Sequence, residues 1–288
     1  MPPPIRDRWP TGSPAWQWEL TDDGSRTLWD ASLDESFHSG CGAVSETLIV
    51  YLYNSQVLSR LRQQLPCAVL EYGLGTATGF LLTAAVAEHY RTPLVFTALE
   101  CSLLPSEIFS QLQLAESVAQ CISQELARTP VSDPGFALTE FEALPKLCEA
   151  FCGQVARWQQ TPQALASSAA GELMTACVGD YVELRLWLGD ARDWSPPTAA
   201  LAVQAADKPC LDSFDAIYFD PFSPESNPEL WTAEVFEVAA RGLRPGGLLT
   251  SYCVKSAVRK ALHQCGLQVD KMAGPVGGKR EVLVARRN

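Results

Sequence analysis

A glutamate and two glycines follow an apolar run in a pattern typical of nucleoside-binding sites. Residues 69–82 read as an apolar strand, a glycine-rich turn containing Gly73 and Gly75, and the start of an apolar helix. Glycines in such a turn adopt conformations closed to other residues and let a ligand touch bare backbone at the carboxyl end of the strand. Glu71 lies at that strand end, where a carboxylate would repel a pyrophosphate but would accept hydrogen bonds from the ammonium of S-adenosylmethionine.

A second acid ends the next apolar run. Glu100 closes the run Leu94–Glu100 and lies 21 residues after Gly79. An acid in that place can bind both hydroxyls of a ribose. The glycine pattern and this spacing occur in nicotinamide-binding and adenosylmethionine-binding proteins alike, and a glycine turn is also a plain structural connection between packed elements. These residues therefore predict nucleoside binding without selecting the nucleoside.

Two later segments favour adenosylmethionine. Residues 243–250, which contain Pro245-Gly246-Gly247, resemble the turn that leads into the fifth strand of class I methyltransferases, and residues 214–222 resemble their fourth strand. The resemblance implies an α/β fold of the class I methyltransferase (Rossmann-like) type, with a doubly wound sheet that is mostly parallel and has an antiparallel edge strand. It also makes S-adenosyl-L-methionine the expected cofactor.

The same resemblance assigns the cofactor contacts. Glu71, Gly73 and Gly75 would line the methionine end of the cofactor, and Glu100 would bind the ribose. In class I methyltransferases an acid after the third strand contacts the adenine amino group, and Asp190 follows the predicted third strand. The alternative for Asp190 is a solvated loop aspartate.

Asp220 is the candidate catalytic residue. The run from Asp220 to Pro224 resembles the corner of amino-group methyltransferases that reads Asp or Asn, Pro, Pro, then Tyr or Phe. In those enzymes an acid or amide and adjacent carbonyls hold the acceptor amine. An ammonium has no lone pair, so a carboxylate that takes its proton and orients the amine supplies general-base and positional catalysis, while the cofactor brings the electrophile.

The longer run from Asp220 to Trp231 carries a more specific resemblance. It is similar to the hallmark of the tRNA 5-methylaminomethyl-2-thiouridine methyltransferases (MnmC-like, DUF752-type), in which an aspartate is followed by Phe-x-Pro and then Asn-Pro-x-x-Trp. These enzymes are found alone or as the methyltransferase half of bifunctional MnmC proteins, and the resemblance extends over most of residues 29–285. It implies methylation of the amine of 5-aminomethyl-(2-thio)uridine at the tRNA wobble position. It also implies a separate oxidoreductase acting on the same uridine.

Aromatic and basic side chains are candidates for contacts with the tRNA anticodon loop, where unpaired bases can be splayed out and stacked. Phe222 and Trp231 could stack on a base, although burial is the commoner role for each. Lys279 and Arg280 belong to a basic concentration in the last 35 residues, which would either bind phosphate or only balance an acidic body. Its other members are Lys255, Arg259, Lys260, Lys271, Arg286 and Arg287.

The chain also departs from the family. In the glycine turn Ala77 replaces a glycine and Gly79 an asparagine, and His38 stands near a usual serine. An alanine costs little if the backbone there is helical, so cofactor binding is expected to persist. The net charge of −11 disfavours general affinity for nucleic acid. Two alternatives therefore stay open: a methyltransferase of a small-molecule or protein amine, and a non-catalytic nucleoside-binding module.

Composition predicts a globular cytoplasmic protein that needs neither membrane nor metal. Hydrophobic residues make up 47% of the 288 residues, and no apolar run approaches the roughly 18 residues of a membrane span. The N-terminus lacks an apolar signal core. The ten cysteines are scattered without a CxxC pair, and the chain has three histidines, so no metal site is expected.

The chain divides into three predicted parts. Residues 1–12 are proline-rich and are interpreted as a disordered tail. Residues 13–66 would form a hairpin and a helix, over 46–65, that packs on the core. Residues 67–288 would form the methyltransferase domain, with a helical insertion at about 129–171 that either shapes the substrate site or is inert. Within that domain we predict strands near 67–71, 94–100, 182–188, 214–222, 248–253, 267–272 and 281–285, and helices near 78–90, 105–128, 140–159, 232–243 and 256–265.

Overall fold

A computed structural model describes residues 6–128, 135–160, 171–196 and 213–288. The strands are β1 (Arg8–Pro10), β2 (Trp16–Leu20), β3 (Arg26–Asp30), β4 (Glu35–Ser36), β5 (Cys67–Tyr72), β6 (Leu94–Glu100), β7 (Glu172–Cys177), β8 (Val182–Leu188), β9 (Phe214–Phe219), β10 (Leu243–Ser251), β11 (Leu267–Ala273) and β12 (Glu281–Arg287). The α-helices are α1 (Ala43–Glu46), α2 (Val57–Arg62), α3 (Thr78–His89), α4 (Ser106–Gln111), α5 (Leu114–Arg128), α6 (Leu144–Gln159), α7 (Ala233–Gly242) and α8 (Ser256–Gln264).

The central element is an eight-stranded sheet in the order β11-β12-β10-β9-β5-β6-β8-β7. Its five inner strands, β10, β9, β5, β6 and β8, run parallel. At one edge β12 and β11 are antiparallel, which confirms the predicted mostly parallel sheet with an antiparallel edge. At the other edge β7 adds a second antiparallel strand that the sequence did not predict. Its side chains are largely exposed, so it lacks the buried alternation that identifies the inner strands.

Both faces of the sheet are covered, which is why the inner strands are apolar along their whole length. In β5 all six residues are buried, and successive side chains point into different cores. Val69 packs in the core beneath α3 and α6, whereas Leu70 packs in the core formed with α7 and α8. This alternation makes the sheet doubly wound and brings the carboxyl ends of β9, β5 and β6 side by side.

Two predicted helices are broken in the structure. The helix expected over 105–128 is divided into α4 and α5 by Gln113, whose φ of 52° is left-handed. The helix expected over 46–65 consists of α1, a π-helix (Thr47–Tyr53) and α2, with left-handed Gln56 before α2. Periodicity identified the helical segments but not these interruptions, because single left-handed residues leave the apolar spacing nearly intact.

The N-terminal residues form a four-stranded antiparallel sheet, β1-β2-β3-β4. In it β1 pairs with β2, so the tail predicted for residues 1–12 is wrong at residues 8–10; residues 1–5 lie outside the described residues. The Asp23 carboxylate in the β2–β3 turn accepts hydrogen bonds from the Ser25 and Ser45 amides. The turn is thereby fixed to α1, which holds this sheet against the main domain.

The described part of the predicted insertion, residues 135–160, packs on the face of the sheet. Phe151 of α6 contacts Phe80 of α3 and Phe109 of α4, with ring centroids 5.5 and 4.9 Å apart. The remaining parts of the insertion, 129–134 and 161–170, lie outside the described residues. Among the helices that the structure describes, none has the length and apolar character needed to cross a membrane.

Candidate active site

A cavity of about 430 Å³ opens where β5, β6 and β9 end at their carboxyl termini. The predicted cofactor residues Glu71, Gly73, Gly75, Glu100 and Asp190 all line it, as do Asp220 and Phe222. Residues from distant parts of the chain therefore converge at the sheet edge where open α/β folds bind their ligands.

The glycine turn requires its glycines. Gly73 and Gly75 have φ values of 86° and 51°, in the left-handed region. A Cβ on Gly73 would lie 3.0 Å from the Asp220 carbonyl oxygen, and one on Gly75 would lie 3.3 Å from the Phe37 ring. The turn thus passes directly beneath the segment that carries Asp220, which keeps the two walls of the cavity together.

Ala77 departs from the expected helical conformation. Its φ and ψ are 59° and 17°, so it is a left-handed residue at the N-cap of α3. An L-residue in this conformation is disfavoured by about 1–2 kcal/mol, which explains why related turns use glycine here. The Ala77 amide still donates to the Leu74 carbonyl, at 2.8 Å, and its methyl group is buried. The turn retains its shape, but the condition under which an alanine would cost little, a helical backbone at Ala77, is not met.

Glu71 is a buried carboxyl group with an unsatisfied oxygen. Its side chain is 2% exposed, and Oε2 finds no hydrogen-bond donor among the residues that the structure describes. Burial raises the pKa of Glu71 well above its usual range, and the nearby carboxylates of Asp220 and Glu100 raise it further. An orphaned acceptor in such surroundings fits a ligand that brings a positive charge.

Gly79 explains how Glu71 fits into the site. A Cβ added to Gly79 would lie 2.1 Å from Glu71 Oε1, so the carboxylate rests directly over the bare helix backbone. The departure from the family's asparagine is therefore coupled to the position of Glu71. Sequence comparison of the turn by itself could not reveal this coupling.

Glu100 and Asp190 differ in how they are held. Glu100 is anchored by backbone amides, with Gly75 N–H donating to Oε2 at 3.0 Å and Ser102 N–H donating to Oε1 at 2.9 Å. Burial raises the pKa of Glu100. Asp190 forms a bidentate ion pair with Arg192, whose guanidinium lowers the pKa of the aspartate. Both carboxylates line the cavity, although only Glu100 is fixed by the turn itself.

Asp220 is buried at the end of β9 and is held by a tyrosine. The Tyr51 hydroxyl donates to Asp220 Oδ1 at 2.5 Å, and the Asp220 amide donates to the Tyr72 carbonyl at 3.1 Å. Burial raises the pKa of Asp220 well above its usual range, and the Glu46 carboxylate adds to the rise. Tyr51 comes from the π-helix, a rare element that frequently occurs at functional sites. No local sequence pattern identifies this tyrosine as a site residue, because its approach to Asp220 depends on tertiary packing.

The loop after Asp220 is fixed from both sides. The Tyr252 hydroxyl donates to the Pro221 carbonyl at 3.0 Å, and Trp231 Nε1 donates to the Phe222 carbonyl at 2.8 Å. The Glu35 carboxylate accepts from both the amide and the hydroxyl of Ser223. The Pro221 and Phe222 carbonyls therefore each accept one hydrogen bond from the protein, and the Asp220 carboxylate adds a charged acceptor at this corner.

A second cavity, of about 190 Å³, adjoins the first on the far side of Asp220. Phe37 and Phe222, which pack edge to face with centroids 5.0 Å apart, belong to the lining of both cavities. His38 also lines both, and burial lowers its pKa to about 4, so it is a neutral group there. The remaining residues around this second cavity are Glu35, Ser36, Ser39, Glu46, Asp220, Pro221, Tyr252 and Lys279.

The predicted substrate contacts are only partly placed at the cavities. Phe222 lines both, and Lys279 lines the second. Trp231 lines neither: it is 9% exposed and packs on Phe219 with centroids 5.1 Å apart. Trp231 was predicted as a base-stacking surface. In the structure it instead supports the loop through its hydrogen bond to the Phe222 carbonyl. Arg280 is exposed on the neighbouring surface.

The basic concentration near the C-terminus is largely engaged within the protein. Lys255 pairs with Glu225, and Lys271 pairs with Glu281. Arg287 donates to the Arg241 carbonyl near the end of α7. The two ion pairs offset the charges of Lys255 and Lys271, whereas the Arg287 contact orients its guanidinium without neutralising it.

Comparison with known proteins gives a family match over the C-terminal part of the chain. Residues 154–288 match the profile of a family described as S-adenosyl-L-methionine-dependent methyltransferase. The matched segment includes Asp190, Asp220 and the loop to Trp231. The family agrees with S-adenosyl-L-methionine, the cofactor predicted from the resemblance of residues 214–222 and 243–250 to class I methyltransferases.

Curated relatives cover more of the chain. It is 27% identical over 260 residues to the tRNA 5-methylaminomethyl-2-thiouridine biosynthesis bifunctional protein MnmC of Paraburkholderia xenovorans, which covers 88% of this chain and 32% of the relative. It is 28% identical over 259 residues to the protein of the same name from Paraburkholderia phytofirmans, with 87% and 32% coverage. The chain spans about a third of the length of these relatives.

A solved structure supports the fold. The crystal structure of MnmC2 from Aquifex aeolicus aligns with 99% of this chain and 72% of its own, with a TM-score of 0.57 at 21% identity. The agreement extends over the N-terminal sheet as well as the main domain. The class I methyltransferase fold is confirmed.

Proposed function

We propose that this chain, an S-adenosylmethionine-dependent methyltransferase with an MnmC-like methyltransferase domain, methylates the amine of 5-aminomethyl-2-thiouridine at the tRNA wobble position. The observation that carries the proposal is the position of Asp220, a buried carboxyl group between a nucleoside-sized cavity and a smaller acidic one. The relatives named above add the substrate class. Methylation of tRNA would place this protein in the cytoplasm.

The residues present fit the cofactor. The orphaned Glu71 Oε2 would accept from the ammonium of the methionine moiety, and the bare backbone at Gly73 and Gly75 leaves room for its approach. Glu100 would bind the ribose hydroxyls, and Asp190 would receive the adenine amino group. The bound cofactor supplies an electrophilic methyl group, which is the chemistry that the protein itself lacks.

Asp220 supplies the base. Its raised pKa brings the carboxylate closer to the basicity needed to accept a proton from an alkylammonium, which must lose that proton before its nitrogen can act as a nucleophile. Burial also raises the pKa of Tyr51, so its hydroxyl remains the hydrogen-bond donor and fixes Asp220 in one orientation. Phe37 and Phe222 pack edge to face in the part of the lining that the two cavities share.

A small-molecule or protein amine is the second candidate acceptor. The net charge of −11 and the ion pairs of Lys255 and Lys271 favour it, since RNA affinity depends on available cations. The acidic second cavity serves any alkylammonium, so it does not separate the two candidates.

The deciding experiment is transfer of labelled methyl to tRNA isolated from cells that lack this final methylation, followed by nucleoside analysis. Label in 5-methylaminomethyl-2-thiouridine is the expected result. If no label enters tRNA while calorimetry still detects adenosylmethionine binding, the tRNA substrate is wrong and the search moves to small-molecule and protein amines.

Gly79→Ala is expected to weaken cofactor binding about ten-fold without destabilising the fold. The new methyl group would displace the Glu71 carboxylate, whereas alanine is favoured over glycine in a helix by about 1 kcal/mol. Calorimetry and thermal unfolding measure the two effects separately. Gly153→Ala in α6 is the matched control, because a Cβ there meets only the Arg157 guanidinium, at 3.7 Å. Equal affinity in the wild type and Gly79→Ala would remove Glu71 from the cofactor site.

Tyr51→Phe is expected to lower kcat/KM about ten-fold at neutral pH and to move its acid limb to higher pH. The Tyr51 hydrogen bond stabilises the ionised form of Asp220, so its loss raises the pKa of Asp220 further and leaves less carboxylate at a given pH. A pH profile of kcat/KM measures the shift. Tyr53→Phe removes a hydroxyl from the same π-helix and should leave the profile in place. An unshifted limb in Tyr51→Phe would contradict the role of Asp220 as the base.

A further inference from the structure

We infer that the second cavity is the subsite for the acceptor's ammonium group, and that Glu46 binds this cation together with Asp220. The part of the inference that concerns a uridine rests on the proposed function. The part that concerns a positively charged acceptor group does not. It assigns a binding role to Glu46, a residue outside the methyltransferase corner.

The geometry places this cavity where an acceptor must lie. It shares Phe37, His38, Asp220, Pro221 and Phe222 with the larger cavity, so a group held in it faces the cofactor site across Asp220. Its volume of about 190 Å³ is enough for an aminomethyl group and part of a ring, and too small for a complete nucleotide. The base therefore enters from outside with its amine foremost.

The two carboxylate oxygens of Glu46 differ in their hydrogen bonds to the protein. The Ser39 amide donates to Oε2 at 2.9 Å, while Oε1 accepts no hydrogen bond from the part of the chain that the structure describes. The residue is 5% exposed and lines the second cavity. Burial raises the pKa of Glu46, and the electrostatic interaction with Lys279 offsets part of that rise.

Lys279 indicates which charge the cavity accepts. Its ammonium lies 3.9 Å from the centre of the Tyr252 ring and interacts electrostatically with both Glu46 and Asp220. A primary ammonium is thus stabilised by two carboxylates and an aromatic face, a combination that suits alkylammonium recognition. Lys279 is on an exposed loop, so its side chain can withdraw when a substrate ammonium enters. This differs from the phosphate contact predicted for Lys279 from the sequence.

The direct test measures binding of 5-aminomethyluridine and of its neutral counterpart 5-hydroxymethyluridine by calorimetry. The wild type should bind the ammonium compound more tightly than the neutral one. Glu46→Gln should reduce this ratio of affinities by about ten- to hundred-fold. The glutamine oxygen still accepts from Ser39, so the fold is expected to persist, which thermal unfolding checks. Glu281→Gln, an exposed acid paired with Lys271, is the control.

Steady-state kinetics give an independent readout. Glu46→Gln should raise KM for the acceptor about ten-fold or more with kcat within about three-fold, because it removes binding and not the base. Lys279→Met should leave that KM unchanged or lower it. An unchanged KM in Glu46→Gln, or a rise in Lys279→Met equal to that expected for Glu46→Gln, would overturn the inference.

A third comparison separates this inference from the proposed function. Benzylamine and benzyl alcohol carry the same charge difference without a uridine. If the wild type binds neither uridine compound but prefers benzylamine in a Glu46-dependent manner, the ammonium subsite stands and the tRNA substrate fails. If it binds 5-aminomethyluridine and 5-hydroxymethyluridine equally, the subsite is wrong even where tRNA is methylated.

Discussion

Asp220→Ala is expected to lower methyl transfer by a factor of about 10³ or more while leaving cofactor affinity within a few-fold of the wild type. The substitution removes the base and the group that orients the amine, and general-base catalysis typically contributes about 10²–10⁴. The cofactor's methionine end and ribose would still be held by Glu71 and Glu100, which lie on β5 and β6. Single-turnover transfer and calorimetry with S-adenosylmethionine measure the two quantities.

Two companion variants make this result specific. Asp220→Asn keeps the shape and a hydrogen-bond acceptor for Tyr51 but cannot take a proton, so it should be nearly as inactive as alanine. Glu225→Gln alters an exposed acid of the same loop, paired with Lys255, and should retain activity. Turnover by Asp220→Asn near the wild-type rate would mean that Asp220 positions the amine without accepting its proton.

The convergence of Glu71, Glu100 and Asp220 was predictable from the sequence. Each ends a buried strand, and the ends of parallel strands that neighbour one another meet at one sheet edge. The order β9-β5-β6 makes these three strands adjacent. The antiparallel pair of β11 and β12 was instead predicted from the resemblance to class I methyltransferases, whose sheet carries such a pair at its edge.

The acceptor side of the site was not predictable in the same way. Tyr51 and Asp220 are 169 residues apart, and Glu46 reaches the cavity from a helix that precedes the sheet. No local pattern records such contacts, since they depend on how the N-terminal segment packs over the strand ends.

Local conformation accounts for the other differences. Ala77 was expected to cost little on the condition that its backbone is helical, yet the turn holds it in the left-handed region. For Trp231 the sequence left base stacking and burial open, and in the structure its indole N–H donates to the Phe222 carbonyl while its ring lies in the core. In both cases the motif located the residue and the packing around it determined the role.

Glu100→Ala is expected to weaken cofactor binding about 100-fold with a smaller effect on the fold. A hydrogen bond to a charged acceptor contributes about 1.5–3 kcal/mol, and 1.4 kcal/mol corresponds to a factor of ten in affinity, so losing contacts to the ribose hydroxyls is costly. The variant also releases the Gly75 and Ser102 amides, which would loosen the turn. Glu107→Ala, an exposed acid at the start of α4, is the control.

A deoxyribose analogue separates the ribose contact from the effect on the turn. The wild type should bind S-adenosylhomocysteine more tightly than its 2′-deoxy form, whereas Glu100→Ala should bind both with similar affinity, because the partner of the hydroxyl is gone. If the variant weakens both compounds equally and keeps the wild-type preference, Glu100 acts only through Gly75 and Ser102. An unchanged dissociation constant for S-adenosylmethionine would remove Glu100 from the site. The two results assign the acid at the end of β6 either to the ligand or to the loop that surrounds it.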